Sequence, residues 1–372
     1  MGKSDLGELL ASSTTLRPVP SEAARAYSEA VPRLVLAVNQ RVAGHPGYRD
    51  WLAGNPQQML ADNHRHHALF MDEIFSAGQL DLLAATLPWV YHAYHARGVP
   101  YDYFEAELGY WKQAVADALP AGQAAAINAV YDWMLSQHDA VIALAEARAV
   151  SQDDVGPADA DLFDALSEAA RAFDDARILE LCRGAREGGM SLPELLQGLV
   201  YPLMKRVGSL WERADISVAD EHEITAIMNR VLASLYFDQP FPETARGLAL
   251  VAASANEFHE MGAWTVATCL ELDGWDVDYL GANVPGHELL AKARGSRPDL
   301  IALSVAMPFN LGAARHTIAS LRAHLPGTRI MIGGQVFELL PRLADGMGAD
   351  ICLQDCQAAV QWARGCAADA PE

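Results

Sequence analysis

The stretch GLALVAASANEFHEMG, residues 247–262, joins an apolar run of strand length to a polar loop that ends just before helical periodicity begins. Four more apolar runs of similar length follow, separated by helical stretches: WDVDYLG, DLIALSVA, RIMIGG and ADICLQ. This alternation is typical of β-α units with a parallel sheet between layers of helices. We therefore predict a five-stranded, flavodoxin-like or Rossmann-like doubly wound domain over residues 241–372.

The loop after the first predicted strand carries a histidine at the ligand-binding edge of such a sheet. Ligands of doubly wound domains lie beyond the carboxyl ends of the strands, where the strand order reverses. His259 stands in this loop, and Glu257 precedes it by two residues as an acceptor for the imidazole nitrogen that does not ligate. Gly262 lets the backbone pass close to a bulky ligand. Taken alone, a loop histidine near a glutamate is more typical of a solvated surface pair.

Two further features lie at the same predicted edge. The third strand ends in Ser304-Val305-Ala306 and the fourth in Gly333-Gly334. With the E-x-H-x-x-G loop, they resemble the cobalamin-binding signature D-x-H-x-x-G, S-x-L, G-G of corrinoid proteins, except that Glu257 replaces the aspartate and Ala306 the leucine.

The corrinoid resemblance implies a lower axial cobalt ligand and a pocket for the nucleotide tail of the cofactor. His259 would take the place of the dimethylbenzimidazole base, with Glu257 as its hydrogen-bond partner. The small residues Ser304, Gly333 and Gly334 would line the pocket into which the displaced tail inserts.

Residues 161–240 show helical periodicity and predict a bundle of four short helices. Within them, Trp211, Glu221 and His222 follow a W-x(9)-E-H spacing. This spacing resembles the cap of light-dependent cobalamin photoreceptors, known from bacterial repressors of carotenoid genes. The resemblance implies that the three residues surround the 5′-deoxyadenosyl group of adenosylcobalamin. It also implies a homo-oligomer whose assembly or packing changes with light.

One residue departs from the repressor pattern. A histidine directly follows the tryptophan in the repressors and takes the vacated cobalt position after light, whereas this chain has Glu212. Any upper histidine ligand after light must therefore come from elsewhere, and His222 is the nearest in sequence.

Residues 21 to about 147 read as helices throughout, which predicts a helical first domain over residues 1–147, and the polar, acidic segment 148–160 predicts a linker. The first domain is rich in aromatic and histidine residues. A globin-like helical domain before a cobalamin photoreceptor module resembles the photocobilins, which pair cobalamin with biliverdin. The segment Trp89 to Trp111 is the part most similar to them. A large planar ligand with propionates favours aromatic walls with His and Arg for the carboxylates, and the candidate residues are His64, His67, Trp89, His92, His95 and Arg97.

Biliverdin would be held without a covalent bond, because the first cysteine of the chain is Cys182. Three alternatives remain open for the first domain. Its histidines could ligate the iron of heme, its two i,i+3 histidine pairs could hold zinc, or the helices could form a dimerisation bundle without a ligand.

Bulk properties narrow the function classes. A formal charge of −21 disfavours direct nucleic-acid binding. We expect a cytoplasmic protein, because we find neither a signal peptide nor an apolar run of about 18 residues, as a membrane span requires. The five scattered cysteines indicate reduced thiols.

Since no G-x-S-x-G, P-loop or H-E-x-x-H motif occurs, we predict a sensor acting on an unknown output partner, not an enzyme. The alternative is a corrinoid methyl carrier for a methyltransferase.

Overall fold

The computed structural model describes residues 6–150, 159–242 and 246–368. The chain divides into two compact units. The first comprises Met1–Gln152 with Glu212–Asp215, and the second comprises Asp153–Trp211 with Ile216–Glu372. The division falls inside the predicted linker, of which residues 151–158 lie outside the described ranges.

The described part of the first unit is helical. Its helices are α1 Leu6–Ser13, α2 Ser21–Ala43, α3 Tyr48–Leu52, α4 Gln57–Ala77, α5 Leu80–His95, α6 Asp102–Ala118, α7 Ala121–Ser136 and α8 His138–Val150. Helix α1 is not predicted from the sequence, and α8 runs three residues, 148–150, into the segment predicted as a linker. The resemblance of this unit to a globin stays a prediction.

The helical segment that precedes the sheet contains α9 Ala160–Arg171, α10 Asp175–Glu187, α11 Leu192–Leu195, α12 Tyr201–Glu212 and α13 Val218–Phe237. A π-helical turn, Leu196–Val200, joins α11 to α12, so the chain passes through the bundle four times. Ser191 and Ser217 precede α11 and α13 as capping boxes. In each, the serine side chain accepts from the backbone N–H of the acidic residue three positions later, and the side chain of that acidic residue accepts from the serine N–H.

The sheet has five parallel strands in the order β2-β1-β3-β4-β5. The strands are β1 Leu248–Ala253, β2 Asp276–Tyr279, β3 Leu300–Ser304, β4 Arg329–Gly333 and β5 Ile351–Cys352. The helices α14 Met261–Leu272, α15 Gly286–Ser296, α16 Leu311–His324, α17 Gln335–Leu339 and α18 Cys356–Ala368 accompany them. This architecture confirms the predicted fold class, a helical N-terminal region followed by a doubly wound parallel sheet.

Helix α14 connects the sheet to the helical bundle within the second unit. Ala263 and Ala267 on one face pack into the core under the sheet. Met261, Trp264 and Leu272 on another face pack against the apolar core of the bundle. The helix that begins directly after the predicted ligand loop therefore contacts both halves of the unit.

Among the described residues, the chain offers no helix with the length and apolar character needed to cross a lipid bilayer.

Candidate functional site

The loop between β1 and α14 is organised around a buried carboxylate. Glu257 is fully buried. One of its oxygens, Oε1, lies 2.6 Å from Nδ1 of His259 and accepts from the backbone N–H of the same residue at 3.1 Å. The other, Oε2, accepts from the backbone N–H groups of Ala306 and Met307 at 2.8 and 2.9 Å, and from Nδ2 of Asn310 at 3.0 Å. The buried charge is therefore well compensated by hydrogen bonds.

These contacts decide the ionisation of both groups. Burial of Glu257 opposes its charged form, but hydrogen bonds from His259, Asn310 and Met307 prevail and lower the pKa of Glu257 to about 2. An ionised Glu257 accepts the proton of Nδ1, which assigns the lone pair of the neutral imidazole to Nε2. The hydrogen bond to Glu257 also raises the pKa of His259, so a proton and a metal compete for Nε2.

The imidazole of His259 is presented to the outside of the loop. Its side chain is 63% exposed, and Nε2 has no hydrogen-bond partner among the described residues. The neighbouring Phe258 is 72% exposed, which is unusual for a phenylalanine. The loop therefore combines one available metal donor with an adjacent apolar surface.

The predicted cap residues Glu221 and His222 lie near the start of α13. Glu221 lies 2.5 Å from Nδ1 of His222 and accepts from Thr225 at 2.9 Å. The hydrogen bond to Glu257 is the main cause of the raised pKa of His259, and the negative charge of Glu221 adds to it. The side chain of His222 is 73% exposed, and Val218 at the start of the helix is 49% exposed.

Trp211 occupies the last turn of α12 and is half-buried. Five residues separate α12 from α13, so Trp211 and the pair Glu221 and His222 belong to the same end of the helical bundle. Glu212, which replaces the expected histidine, groups with the first unit. It is buried there, and both of its carboxylate oxygens accept hydrogen bonds from Arg148.

The residues predicted to line a tail pocket meet at the carboxyl edge of the sheet. In the strand register, Ala253 pairs with Ser304, and Ser304 pairs with Gly333. A Cβ atom at Gly262 would lie 3.7 Å from the Ser304 hydroxyl, so this hydroxyl faces the start of α14. Small residues thus stand at the ends of β1, β3 and β4, at the same edge as the loop of His259.

The structure gives a second explanation for glycine at positions 333 and 334, which the sequence did not reveal. A Cβ atom at Gly333 would lie 2.3 Å from the carbonyl oxygen of Leu353, and one at Gly334 would lie 2.2 Å from that of Val305. Gly334 has a φ of 116°, which favours glycine. The close approach of neighbouring backbone therefore leaves no space for a side chain at either position, in addition to any role that the glycines have toward a ligand.

The donor set fits a metal that arrives inside a macrocycle. Within the described ranges, no three His, Cys, Asp or Glu side chains are grouped to hold a metal ion. A corrin ring brings its own ligands for the cobalt, so the protein would need to supply only one donor. An exposed imidazole with a buried carboxylate behind it, flanked by apolar Phe258, meets that requirement.

In the first unit, the structure uses the predicted bilin residues mainly for internal contacts. His64 is buried, with Nδ1 2.5 Å from Oδ1 of Asn39 and Nε2 2.9 Å from the Tyr103 hydroxyl. Nε2 of His67 lies 3.3 Å from the Tyr131 hydroxyl. These partners, and the absence of a three-donor group among the described residues, leave the zinc alternative without support.

The second histidine group lies at the end of α5. His92 is buried, and its Nε2 has no hydrogen-bond partner among the described residues. Nδ1 of His95 lies 3.2 Å from the carbonyl oxygen of Val99, and Arg97 donates to the carbonyl of Ala93 at 2.6 Å. Trp89, on the same helix, is half-buried. The structure thus separates the six predicted residues into a pair on α4, of which His64 is buried and His67 half-buried, and a cluster towards the end of α5.

Sequence reasoning missed two polar residues that the structure places in key positions. Asn310 contacts Glu257 but lies 53 positions further along the chain. Only its location after the third strand, at the ligand-binding edge, gave a signal. Glu107 is buried in the first unit, where it accepts from Trp111 Nε1 at 3.0 Å and lies 3.9 Å from Nε2 of His64. Burial raises its pKa to about 7.

Comparison with protein-family models gives two matches. Residues 247–361 match the B12 binding domain, and residues 162–236 match a second B12 binding domain model. The first covers the sheet with the loop of His259, and the second covers most of the helical bundle.

Two kinds of relatives share this region. The HTH-type transcriptional repressor CarH of Myxococcus xanthus is 30% identical over 174 residues, which is 46% of this chain and 56% of the repressor. Dimethylamine corrinoid protein 3 of Methanosarcina acetivorans is 25% identical over 210 residues, which is 55% of this chain and 98% of that protein. The chain thus spans about half the length of the repressor.

Among solved structures, the monomethylamine corrinoid protein of Methanosarcina barkeri aligns with a TM-score of 0.50 and 21% identity, over 55% of this chain and 98% of that protein. This similarity concerns the fold. Together with the family matches and the site geometry, it leads to one conclusion: the chain carries B12-binding domains over residues 162–236 and 247–361.

Proposed function

We propose that the chain is a light sensor that binds adenosylcobalamin with His259 as the lower cobalt ligand, and that it is not an enzyme. The observation that carries this proposal is the loop after β1, where the His259 side chain is 63% exposed and its Nδ1 lies 2.6 Å from the buried carboxylate of Glu257. Nε2 of His259 is thereby available to the cobalt. The exposed His222, 2.5 Å from Glu221 near the start of α13, is available to an upper ligand.

Bound adenosylcobalamin supplies a cobalt–carbon bond that visible light breaks. The protein determines the consequence of that cleavage. Glu257 would orient His259 toward the cobalt, and Trp211 with Glu221 and His222 would enclose the adenosyl group. Loss of that group would remove the surface against which this end of the bundle packs, so the cap would have two states.

The output of such a sensor is a change of shape or assembly. We propose a homo-oligomer whose association changes with light and which passes the change to a protein partner. The similarity to the Myxococcus xanthus repressor over 46% of this chain supports the sensor. We propose no direct nucleic-acid contact, because the chain carries a formal charge of −21.

A corrinoid carrier protein is the competing function. Its support is specific: dimethylamine corrinoid protein 3 is matched over 98% of its length, whereas the repressor is matched over 56%. A carrier would present a small methyl group to a methyltransferase and has no need of residues that enclose a nucleoside.

The affinities for two cofactor forms separate these functions. If Trp211, Glu221 and His222 enclose an adenosyl group, the chain should bind adenosylcobalamin at least about tenfold more tightly than methylcobalamin in the dark, or about 1.4 kcal/mol. Titration followed by absorbance measures both dissociation constants. Equal affinities, or tighter binding of methylcobalamin, would favour the carrier.

We further propose that the first unit binds biliverdin without a covalent bond. The supporting observation is the cluster at the end of α5, where buried His92 has an Nε2 without a described partner and Arg97 provides a cation. Hydrogen bonds of this kind to propionates contribute about 1.5–3 kcal/mol each where water is excluded.

The test is to add biliverdin to the full-length, cobalamin-loaded protein. A red-absorbing band that forms on mixing and is removed by denaturation and extraction supports the proposal, and Arg97→Ala should weaken it. No band refutes biliverdin binding, and a Soret band with heme added instead would assign the unit to heme.

A further inference from the structure

We infer that Thr225 is a positioning residue that makes the predicted cap selective for adenosylcobalamin, because it holds the carboxylate of Glu221 in place. This inference rests on the proposed function and adds a residue that the W-x(9)-E-H spacing does not contain. Thr225 lies one turn after Glu221 on α13 and is half-buried. Residues four positions apart share one face of a helix.

The carboxylate of Glu221 has a different partner at each oxygen. The hydroxyl of Thr225 donates to Oε1 of Glu221 at 2.9 Å. The other oxygen, Oε2, lies 2.5 Å from Nδ1 of His222. Two neighbours on the same helix therefore fix the orientation of this carboxylate, while the side chain of Glu221 stays 27% exposed and accessible to a ligand.

The hydrogen bond of Thr225 differs from the usual one of a threonine within a helix. Thr86 and Thr317 each donate at 2.8 Å to the backbone carbonyl four positions earlier. For Thr225 the residue four positions earlier is Glu221, and the hydroxyl donates to the side chain of that residue and not to its carbonyl. The hydroxyl of Thr225 thus serves the carboxylate instead of the helix backbone.

A carboxylate held in this way discriminates between the two cofactor forms by their hydrogen-bond donors. An ionised carboxylate offers about four acceptor sites, so the contacts with Thr225 and His222 leave sites for a ligand. A 5′-deoxyadenosyl group carries hydroxyl and amino donors, whereas a methyl group carries none. Because Thr225 already orients Glu221, binding of the adenosyl group has to order less of that side chain. Loss of the Thr225 hydroxyl should remove this advantage for adenosylcobalamin alone.

The variant Thr225→Val keeps the shape of the side chain and removes the hydroxyl. We expect it to raise the dissociation constant of adenosylcobalamin by about three- to tenfold, the range for one side chain that has to be ordered on binding. The dissociation constant of methylcobalamin should stay unchanged. Thr225→Ser, which keeps a hydroxyl, should retain most of the wild-type preference for adenosylcobalamin.

The test titrates the full chain with each cofactor form in the dark, follows the absorbance, and compares the two dissociation constants. Both forms share the corrin ring and the nucleotide tail, so the ratio of the constants isolates the upper ligand. A merely structural effect of Thr225→Val would weaken the binding of both forms in parallel and leave the ratio at its wild-type value. That outcome, or unchanged affinities, overturns the inference. Equal affinities of the wild type for the two forms overturn the proposed adenosyl pocket, and the role of Thr225 with it.

Thr317→Val is the matched control. Thr317 is buried on α16 and donates within its own helix, so this variant should keep the wild-type ratio. Should Thr225→Val fail to fold, Thr225→Ala removes the same hydroxyl with a residue that favours the helix and gives the same test.

A double-mutant cycle tests whether Thr225 acts through Glu221. The single variant Glu221→Ala should lose most of the preference for adenosylcobalamin. Adding Thr225→Val to it should then leave the ratio of the two dissociation constants unchanged, because the hydroxyl no longer has a carboxylate to hold. A further loss of preference in the double variant, as large as in Thr225→Val alone, overturns the inference.

Discussion

At the scale of single residues, the account depends on the pair Glu257 and His259. A carboxylate that is fully buried yet ionised is expensive unless hydrogen bonds compensate it. Here the loops after β1 and β3 provide that compensation and leave the imidazole 63% exposed. The protein thus holds the anion inside and directs the imidazole outward, where Nε2 is accessible to a metal.

The corresponding prediction concerns His259→Ala. We expect a loss of cobalamin affinity larger than the roughly 10- to 100-fold typical of partners behind the ligand. Any cofactor that still binds should keep its own base or water below the cobalt, which the absorption spectrum reports. His287→Ala is the control, because His287 is an exposed histidine 3.4 Å from Glu288 in the same domain. Unchanged spectrum and affinity in His259→Ala would remove this residue from the site.

At the scale of helices and strands, periodicity predicted the sheet well because most strands are short apolar runs bounded by polar loops; β2 instead alternates Asp276 and Asp278 with Val277 and Tyr279. Helix α1 was not predicted because its eight residues are too few to show a helical repeat of apolar positions. The contacts of Glu257 with the loop after β3 cross about 50 positions and depend on strand order, which one sequence does not reveal. Gly333 and Gly334 were predicted as residues of a ligand pocket, and the structure shows in addition that neighbouring backbone carbonyls leave no space for a Cβ atom there.

The cap helices yield the second prediction. Trp211→Ala should open the space around the adenosyl group and raise the rate at which the loaded protein loses it by about tenfold, which corresponds to about 1.4 kcal/mol. Trp211→Phe, which keeps an aromatic ring, should fall between the two. The decay of the adenosylcobalamin spectrum under constant dim light gives the rates. Equal rates for wild type and Trp211→Ala would exclude Trp211 from the pocket.

The buried acid on α6 yields a prediction about stability. Because burial raises the pKa of Glu107 from its usual 4.5 to about 7, the ionised form is disfavoured in the fold. The stability associated with this group is fully present below pH 4.5 and is lost as the pH rises through about 7. Glu107→Gln should therefore stabilise the first unit at pH 8 by about 2–3 kcal/mol.

The advantage of Glu107→Gln should shrink to about 1 kcal/mol or less near pH 5. Thermal unfolding of the full chain, followed by tryptophan fluorescence, measures it, since Trp111 donates directly to Glu107. A variant that is equally or less stable at pH 8 would show that the carboxylate is needed in its charged form.

At the scale of the whole molecule, the second unit combines the sheet and the helical bundle, with α14 packed against both cores. A change at the end of the bundle therefore has a direct structural route to the loop of His259. The first unit adds a separate helical domain with its own buried histidines. We propose that a cofactor event in the second unit changes how copies of the chain associate.

The most direct test measures mass and scattering profile of the adenosylcobalamin-loaded chain by size-exclusion chromatography in the dark and after green light. Hydroxocobalamin-loaded protein, which lacks the alkyl group, is the control and should be indifferent to light. The account predicts a different oligomer or a different radius of gyration after illumination of the adenosylcobalamin form alone. Identical profiles before and after complete loss of the adenosyl group would contradict a light sensor and favour the carrier.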